Sequence, residues 1–200
     1  MSVDVLDIKC PGCGMPVSTG QNICEWCNRP IVITTFNSVA SMPLPEINKY
    51  ANSYKKALDE HPNDYNLNTS IAMCYLRLKL YDKALLAFEK AIEDNFDNAE
   101  VYFYAAICIL KGKKAFLQQR QEINKIEEYI DAALMIEPRG IFYYFKSYIR
   151  YDYHYRKCYG VSPNYNELQE TAFSVGVSNT DIQQLFEILN VEKPEVLKIN

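Results

Sequence analysis

The sequence has few of the residues that enzyme sites use most often. Its 200 residues include two histidines, His61 and His154, and seven glycines. Neither histidine has a recognisable catalytic partner, and the chain contains no Ser/His/Asp set, no paired-carboxylate motif and no glycine-rich phosphate loop. These absences predict a protein that is not an enzyme.

The chain also lacks a long hydrophobic run. No apolar segment approaches the roughly 20 residues that a helix needs to cross a bilayer. The first residues, MSVDVLDIK, have neither the positive start nor the apolar stretch of a secretion signal. We therefore expect a cytoplasmic protein that does not enter a membrane.

A general excess of positive charge is absent as well. The formal net charge is −4, and net positive charge is concentrated in residues 101–161. This balance excludes a generally basic nucleic-acid-binding protein but is compatible with a local basic patch. Apolar residues make up 48% of the chain, which is enough for a core, and the length corresponds to one or two domains.

The chain does contain two cysteine motifs near its start, in the order C-x2-C, ten residues, C-x2-C. Their members are Cys10, Cys13, Cys24 and Cys27. Four thiolates at this spacing can surround one ion tetrahedrally, which suits Zn2+. The spacing therefore predicts a metal site.

Each motif is a copy of the pattern C-x-x-C-[GN]-x-P-[VI], with the same spacing in both copies. Gly14 and Asn28 follow the second cysteine of each copy, and these residue types best tolerate the left-handed backbone of a metal knuckle. The proline two residues later opposes a helix. It predicts a short strand through Val17 and another over residues 31–35.

Other uses of the four cysteines can be weighed on the same residues. A thioredoxin-like redox motif would need a helix starting at Cys10, which Gly14 and Pro16 oppose. Disulfides are disfavoured in a reducing compartment, and rubredoxin-type iron knuckles are separated by a longer gap. Residues 8–35 resemble a zinc ribbon. The resemblance implies that the cysteines hold one structural Zn2+, with no position left for a catalytic water.

A second repeat has a longer period, about 34 residues. If Tyr65 is position 1, the small residues Ala72 and Ala84 fall at positions 8 and 20, and Phe88 falls at position 24. Small residues there let two helices approach, and the pattern resembles the tetratricopeptide repeat. A second copy starts at Ala99, but an insertion around 113–121 delays its second helix.

The repeat is less regular at its ends. Residues 45–60 resemble the second helix of an incomplete earlier copy, and a copy from Ile141 places bulky Tyr148 where a small residue is expected. Apolar and tyrosine residues from Ile141 to Tyr159 follow a 3-4 spacing, which predicts one packed stripe along a single helix.

Two further helices are predicted at the end of the chain. Ser162 and Pro163 are expected to open the first, which Gly176 ends. Asn179 or Thr180 is expected to cap the second. Its apolar face comprises Ile182, Leu185, Phe186 and Leu189.

These resemblances imply a mainly α fold, a short tetratricopeptide-like α-α solenoid preceded by a small β zinc ribbon. The expected organisation is a ribbon at 1–36, a linker at 37–44, helical repeats at 45–161 and C-terminal capping helices at 162–200.

The tetratricopeptide resemblance also implies where a partner would bind. The concave positions of the first helices form an apolar groove suited to an amphipathic helix, supplied by a partner or by residues 180–190 of the chain itself. The groove residues are Thr69, Met73, Leu76, Phe103, Ile107, Leu110, Phe145 and Ile149.

The sequence thus predicts a cytoplasmic adaptor that binds a protein or peptide segment, with the zinc ribbon as a second docking module. The alternative is a nucleic-acid-associated protein that uses the ribbon and the basic, tyrosine-rich residues 111–157. A weaker alternative is self-association through the helices. The sequence identifies neither the partner nor the oligomeric state.

Overall fold

The computed structural model describes residues 5–198, and the chain divides into two compact units, Met1–Asp97 and Asn98–Asn200. Among the described residues, no helix is long and apolar enough to cross a membrane.

The first unit begins with a two-stranded antiparallel sheet and continues as helices. In the sheet, Asp7 lies opposite Ser18 and Lys9 opposite Pro16. The elements are β1 (Asp7–Lys9), β2 (Pro16–Ser18), a short α1 (Asn37–Ala40), α2 (Leu44–Glu60), α3 (Tyr65–Arg77) and α4 (Tyr81–Asp94). The predicted linker, residues 37–44, therefore contains α1 and the first residue of α2.

The second unit is helical throughout its regular elements. These are α5 (Ala99–Leu110), a 3-10 turn (Ala115–Leu117), α6 (Arg120–Ile136), α7 (Gly140–Ile149), a π-helix that continues α7 (Arg150–Tyr155), α8 (Tyr165–Val175) and α9 (Asn179–Leu189).

Successive helices pack as hairpins, α3 with α4, α5 with α6 and α7 with α8. In the first hairpin Ala72, Ala84 and Phe88 are fully buried, as the repeat pattern predicts. Small side chains at the contact allow close approach of the helices, and the large ring fills the remaining gap. The structure confirms the predicted fold class, a tetratricopeptide-like helical fold preceded by a small sheet.

The third hairpin uses different small residues from those of the repeat pattern. Gly140, at the start of α7, is buried, and a Cβ atom there would lie 2.7 Å from both the Ala172 carbonyl oxygen and the Val177 nitrogen. The close contact between α7 and the end of α8 therefore needs glycine. Tyr148, which departs from the repeat pattern, is buried, and its hydroxyl accepts a hydrogen bond from the Ala115 nitrogen, 3.3 Å away.

The residues inserted between α5 and α6 form hydrogen bonds with neighbouring helices of the second unit. Gln118 donates to the Leu110 carbonyl at the end of α5, at 2.9 Å, and Asp152 accepts a bond from the Phe116 nitrogen, also at 2.9 Å. The inserted residues thus satisfy backbone groups that a helix end leaves open.

Three local expectations for the chain before α9 were wrong. The first concerns residues 31–35, which form no strand because the chain leaves the ribbon there: the Ile33 nitrogen donates to Ser70 Oγ of α3 at 2.8 Å. The second concerns the start of α8, which begins at Tyr165 rather than at Ser162 and Pro163. Asn164 and Glu167 form a reciprocal capping box that fixes the start there.

The third concerns the tyrosine-rich segment, which does not follow one α-helical stripe. The π-helix adds residues per turn and rotates the packed face, so that Asp152, Tyr153 and His154 are buried. Tyr155 and Tyr159 are exposed instead.

Candidate metal centre and helix-binding face

The two cysteine motifs fold into matching backbone turns. The Cys10 carbonyl accepts from the Gly14 nitrogen, and the Cys24 carbonyl accepts from the Asn28 nitrogen, each at 2.8 Å. Gly14 and Asn28 have φ values of +83° and +58°, the left-handed backbone that their residue types predict. The two copies of the cysteine motif therefore adopt the same local backbone structure.

The strand pairing around each motif follows the same repeat. Lys9 lies opposite Pro16 in the sheet, and the equivalent residues of the second copy, Ile23 and Pro30, form an isolated bridge. The second copy pairs at this one position, whereas the first forms a short ladder.

The four cysteine sulfurs converge on one point. All four lie within 4.8 Å of one another, and the Cys10–Cys27 and Cys13–Cys24 sulfur pairs are each 3.7 Å apart. Tetrahedral coordination with metal–sulfur bonds of about 2.3 Å separates sulfurs by about 3.8 Å. No disulfide joins the four cysteines. Their arrangement fits one tetrahedral metal ion.

Backbone amides point at these sulfurs, as metal thiolates require. For Cys24, burial alone would raise the pKa, but hydrogen bonds from the Cys27 and Trp26 backbone lower it to about 7. For Cys10, burial raises the pKa despite hydrogen bonds from the Cys13 and Gly12 backbone. These amides can stabilise negative charge on bound sulfurs.

The ribbon has a very small core around these ligands. Its buried apolar residues are Cys10, Val17, Cys24 and Ile31, so two of the four are cysteines of the site. A segment of this size cannot bury enough apolar surface to be stable alone, and a metal ion is one usual solution.

One face of α2 holds the ribbon in place. Arg29 forms an ion pair with Glu46 at 2.8 Å, and Lys49 donates to the Gly12 carbonyl. Tyr54, fully buried, donates its hydroxyl to the Ile31 carbonyl at 2.8 Å. These contacts join the metal-site segment to the first long helix.

The residues predicted to line a groove are not on the surface. In the first unit, Thr69, Met73 and Leu76 of α3 are buried. The remaining five, in the second unit, are also buried: Phe103, Ile107, Leu110, Phe145 and Ile149.

In the second unit, α9 contacts the two helices, α5 and α7, that carry these predicted groove residues. The helix packs against both α5 and α7, the first helices of their hairpins. Phe186 of α9 lies 5.4 Å from the Tyr148 ring and 6.5 Å from the Tyr144 ring, measured between centroids. The apolar face predicted for α9 is buried along its length: Ile182, Leu185, Phe186 and Leu189. A cap on the last hairpin alone would not reach α5.

The start of α9 differs slightly from the predicted one. Ser178 caps the helix by accepting from the Asp181 nitrogen, and Asp181 bonds back to the Ser178 nitrogen. Because Asp181 can act as the reciprocal partner, the helix begins one residue earlier than a cap at Asn179 would allow.

The basic, tyrosine-rich residues have partners within the second unit. Arg156 pairs with Asp152 at 2.6 Å and lies over the Phe116 ring, while Lys157 lies 3.9 Å from the centre of the Tyr153 ring. Arg150 pairs with Glu127 at 3.1 Å. Burial alone would raise the pKa of Glu127, but His154, Arg150 and Lys146 lower it. Sequence reasoning did not foresee this buried ionic cluster.

Comparison with known proteins agrees with the helical pattern. Residues 51–111 match the family model described as tetratricopeptide repeat. No curated protein matches the chain. The chain is similar to a solved structure titled MamA MSR-1 C2, with 16% identity and a TM-score of 0.48, over 64% of this chain and 67% of that one. Residues 51–111 are therefore similar to the tetratricopeptide repeat.

Proposed function

We propose that this chain is a non-enzymatic cytoplasmic adaptor whose tetratricopeptide-like helices bind an amphipathic helix of a partner protein. The observation that carries this proposal is the position of α9. An amphipathic helix already lies on α5 and α7, the helices that tetratricopeptide proteins use for binding. Because all seven cysteines are free of disulfides, a reducing compartment suits the chain.

The two helices that α9 contacts, α5 and α7, meet through aromatic and apolar side chains of the kind that helix-in-groove recognition uses. Phe103 lies 4.8 Å from Phe142 and 5.6 Å from Phe145 between ring centroids, and Tyr148 lies against Phe186. A partner helix with the apolar spacing of α9 would meet the same surface once α9 is displaced. In this proposal α9 competes with the partner.

A peptide-binding experiment tests the proposal. A labelled synthetic peptide of residues 178–190 is added to the full-length Phe186→Glu protein, whose own α9 is weakened. We expect it to bind this variant more tightly than the wild type, where α9 already occupies the face. The matched control is the same peptide carrying Phe186→Glu, which should not bind. Failure of the wild-type peptide to bind either protein would refute a helix-binding face.

We further propose that Cys10, Cys13, Cys24 and Cys27 hold one structural Zn2+. Four thiolates in a tetrahedral arrangement suit Zn2+ or iron. Zn2+ has no redox chemistry, so it is the better match for a purely structural site. The sulfur spacing supports this assignment. Bound zinc would fix the ribbon, while the protein supplies four sulfurs and the amides that point at them. Native mass spectrometry should find one zinc per chain, and recovery of metal-free protein from zinc-replete expression would contradict it.

The ribbon also offers a second docking surface. Trp26 is 69% exposed and Ile23 is 55% exposed, although both are large and apolar. Exposed apolar side chains on a rigid module are typical of protein contacts. This supports the ribbon as a docking module in addition to the helices. Trp26→Ser should leave zinc content unchanged while weakening any partner contact made by the ribbon.

For the nucleic-acid alternative, Tyr155 and Tyr159 of the second unit are exposed, but three of its basic residues are already engaged within the chain. Arg156, Lys157 and Arg150 already pair with acidic or aromatic groups of the chain. Stacking surfaces for single strands need aromatic faces and cations that are open to the ligand. A titration with single-stranded RNA at low salt checks this point, and a tight complex that weakens steeply with salt would revive the alternative.

A further inference from the structure

The chain continues after α9 as a short tail, residues 191–198, that turns back toward the helices. Asn190 ends α9 with a φ of +55°, in the left-handed conformation. Its nitrogen bonds to the Glu187 carbonyl at 3.2 Å, and the Val191 nitrogen bonds to the Phe186 carbonyl at 3.4 Å. These two bonds form a Schellman motif, which closes the helix and reverses the direction of the chain.

The end of the tail is anchored on α7. The Tyr144 hydroxyl donates to the Lys198 carbonyl at 2.7 Å, and Leu197 is fully buried. The residues before this anchor form a compact turn. The Leu197 nitrogen bonds to the Pro194 carbonyl at 3.1 Å, and the Lys193 ammonium donates to the carbonyls of both residues. The tail thus brings one apolar side chain and one hydrogen bond back to a helix that α9 also contacts.

The middle of the tail contributes little to this attachment. It borders a polar cavity of about 410 Å³, together with the inserted residues and the π-helix. Glu192, Glu195 and Val196 are exposed, and Leu197 is the one buried residue of the tail. Burial of apolar surface is the main source of stability for such a segment. Attachment of the tail therefore depends on Leu197 and Lys198.

This anchor fixes the second end of α9. At the first end, Val177 is buried, and its nitrogen bonds to the Ala172 carbonyl at 3.1 Å. Between the two ends, the Phe186 ring lies 6.5 Å from the ring of Tyr144, the residue that also bonds to Lys198. A segment held at both ends has a high effective concentration at its contact surface. Removing one anchor should therefore raise the fraction of molecules in which α9 is displaced.

We propose that the tail is a latch that holds α9 against α5 and α7 and thereby regulates access of a partner helix to those two helices. This inference rests on the proposed helix-binding function. The partner it fits is an amphipathic helix with apolar side chains at the spacing of α9. Its apparent affinity equals the intrinsic affinity multiplied by the fraction of molecules with α9 displaced. Release of the Leu197 and Lys198 anchor raises that fraction.

The test measures binding of a labelled peptide of residues 178–190 to full-length variants. Leu197→Ala should bind the peptide at least about 10-fold more tightly than the wild type, because loss of a buried leucine side chain weakens a packed contact by more than this factor. Tyr144→Phe keeps the ring but removes one hydrogen bond, so its affinity should rise about threefold. Val196→Ala is the matched control, since this neighbouring side chain is 48% exposed, and it should match the wild type.

Hydrogen exchange of the same variants distinguishes a latch from a general core residue. Leu197→Ala should lose protection over residues 178–190 and retain it in α5 and α6, because local opening leaves the rest of the unit folded. Loss of protection in α5 and α6 as well would show that Leu197 supports the whole unit, and would overturn the latch.

The remaining outcomes separate the latch from the proposed function. If Phe186→Glu binds the peptide but Leu197→Ala binds it no better than the wild type, the latch is wrong and the helix-binding face stands. Equal tightening in Leu197→Ala and Val196→Ala would also overturn the latch, because the effect would not belong to the anchor. A peptide that binds neither Phe186→Glu nor Leu197→Ala would refute both proposals together.

Discussion

The ribbon and the helical hairpins are stabilised in different ways. In the ribbon, the core consists of Cys10, Val17, Cys24 and Ile31, and two of these are candidate ligands. In the hairpins, buried alanines and aromatic rings fill continuous interfaces, as Ala72, Ala84 and Phe88 do. The ribbon therefore has a very small core in which candidate ligand sulfurs converge, whereas the helices bury a large apolar area.

The two regions also repeat differently. The two knuckles share the same hydrogen bonds and the same left-handed residues, because each must present sulfurs to one point. The hairpins vary, and the third closes on Gly140 instead of the alanine of the repeat pattern. Metal geometry tolerates little variation, while helix packing accepts several combinations of small and large residues.

Replacing a candidate ligand should have the largest effect, because it should unfold the ribbon and leave the helical hairpins folded. Cys24→Ser removes a fully buried sulfur of the site and should abolish stoichiometric zinc binding, because structural zinc supplies much of the folding free energy of such modules. Hydrogen exchange should show loss of protection in residues 5–30 and continued protection in α5–α9. Cys158→Ser, at an exposed cysteine outside the site, is the control. Unchanged zinc content in Cys24→Ser would contradict the assignment.

Truncating an aromatic side chain in the second unit should destabilise the helices and leave the ribbon unaffected. Phe186→Ala removes the ring that packs on Tyr148 and should lower the free energy of unfolding by about 3 kcal/mol. Zinc content should remain at the wild-type value, because the ribbon does not use this residue. Chemical denaturation followed by far-UV circular dichroism measures the loss. A loss below about 1 kcal/mol would show that α9 is only loosely held.

A single methyl group should test the close contact in the third hairpin. Gly140→Ala would bring its Cβ to 2.7 Å from the Ala172 carbonyl oxygen and the Val177 nitrogen, so one helix must shift. We expect a loss of about 1–3 kcal/mol. Gly160→Ala is the matched control, because nothing lies within 4 Å of its added Cβ. Equal thermal stability of the two variants would be inconsistent with this packing.

The smallest expected effect lies where the ribbon meets α2. Tyr54→Phe removes the donor to the Ile31 carbonyl and should cost about 1–2 kcal/mol, since a buried acceptor loses its partner. Urea titration with and without a zinc chelator measures this loss. We expect a smaller loss when the chelator is present, because the ribbon core that contains Ile31 is expected to lose its structure without the metal. An equal loss in both conditions would show that this junction persists in the metal-free protein.

Much of the fold could be predicted from short-range patterns. The knuckles were predictable because Gly14 and Asn28 decide a local backbone conformation, and all four cysteines lie close together in the chain, from Cys10 to Cys27. The first hairpin was predictable because Ala72, Ala84 and their neighbours follow a single period of the repeat. Both signals need only the order of nearby residues.

The sequence therefore determined the ribbon's candidate ligands and the existence of the helical hairpins, because spacing alone places those side chains on one turn or one helix face. Tertiary structure decided where α9 lies, that the predicted groove residues of the second unit are buried, and which side of the tyrosine-rich segment is packed. The position of α9 depends on contacts with helices that are distant in the sequence. The packed side of the tyrosine-rich segment depends on the π-helix, which rotates the side chains away from the face that the 3-4 spacing predicts.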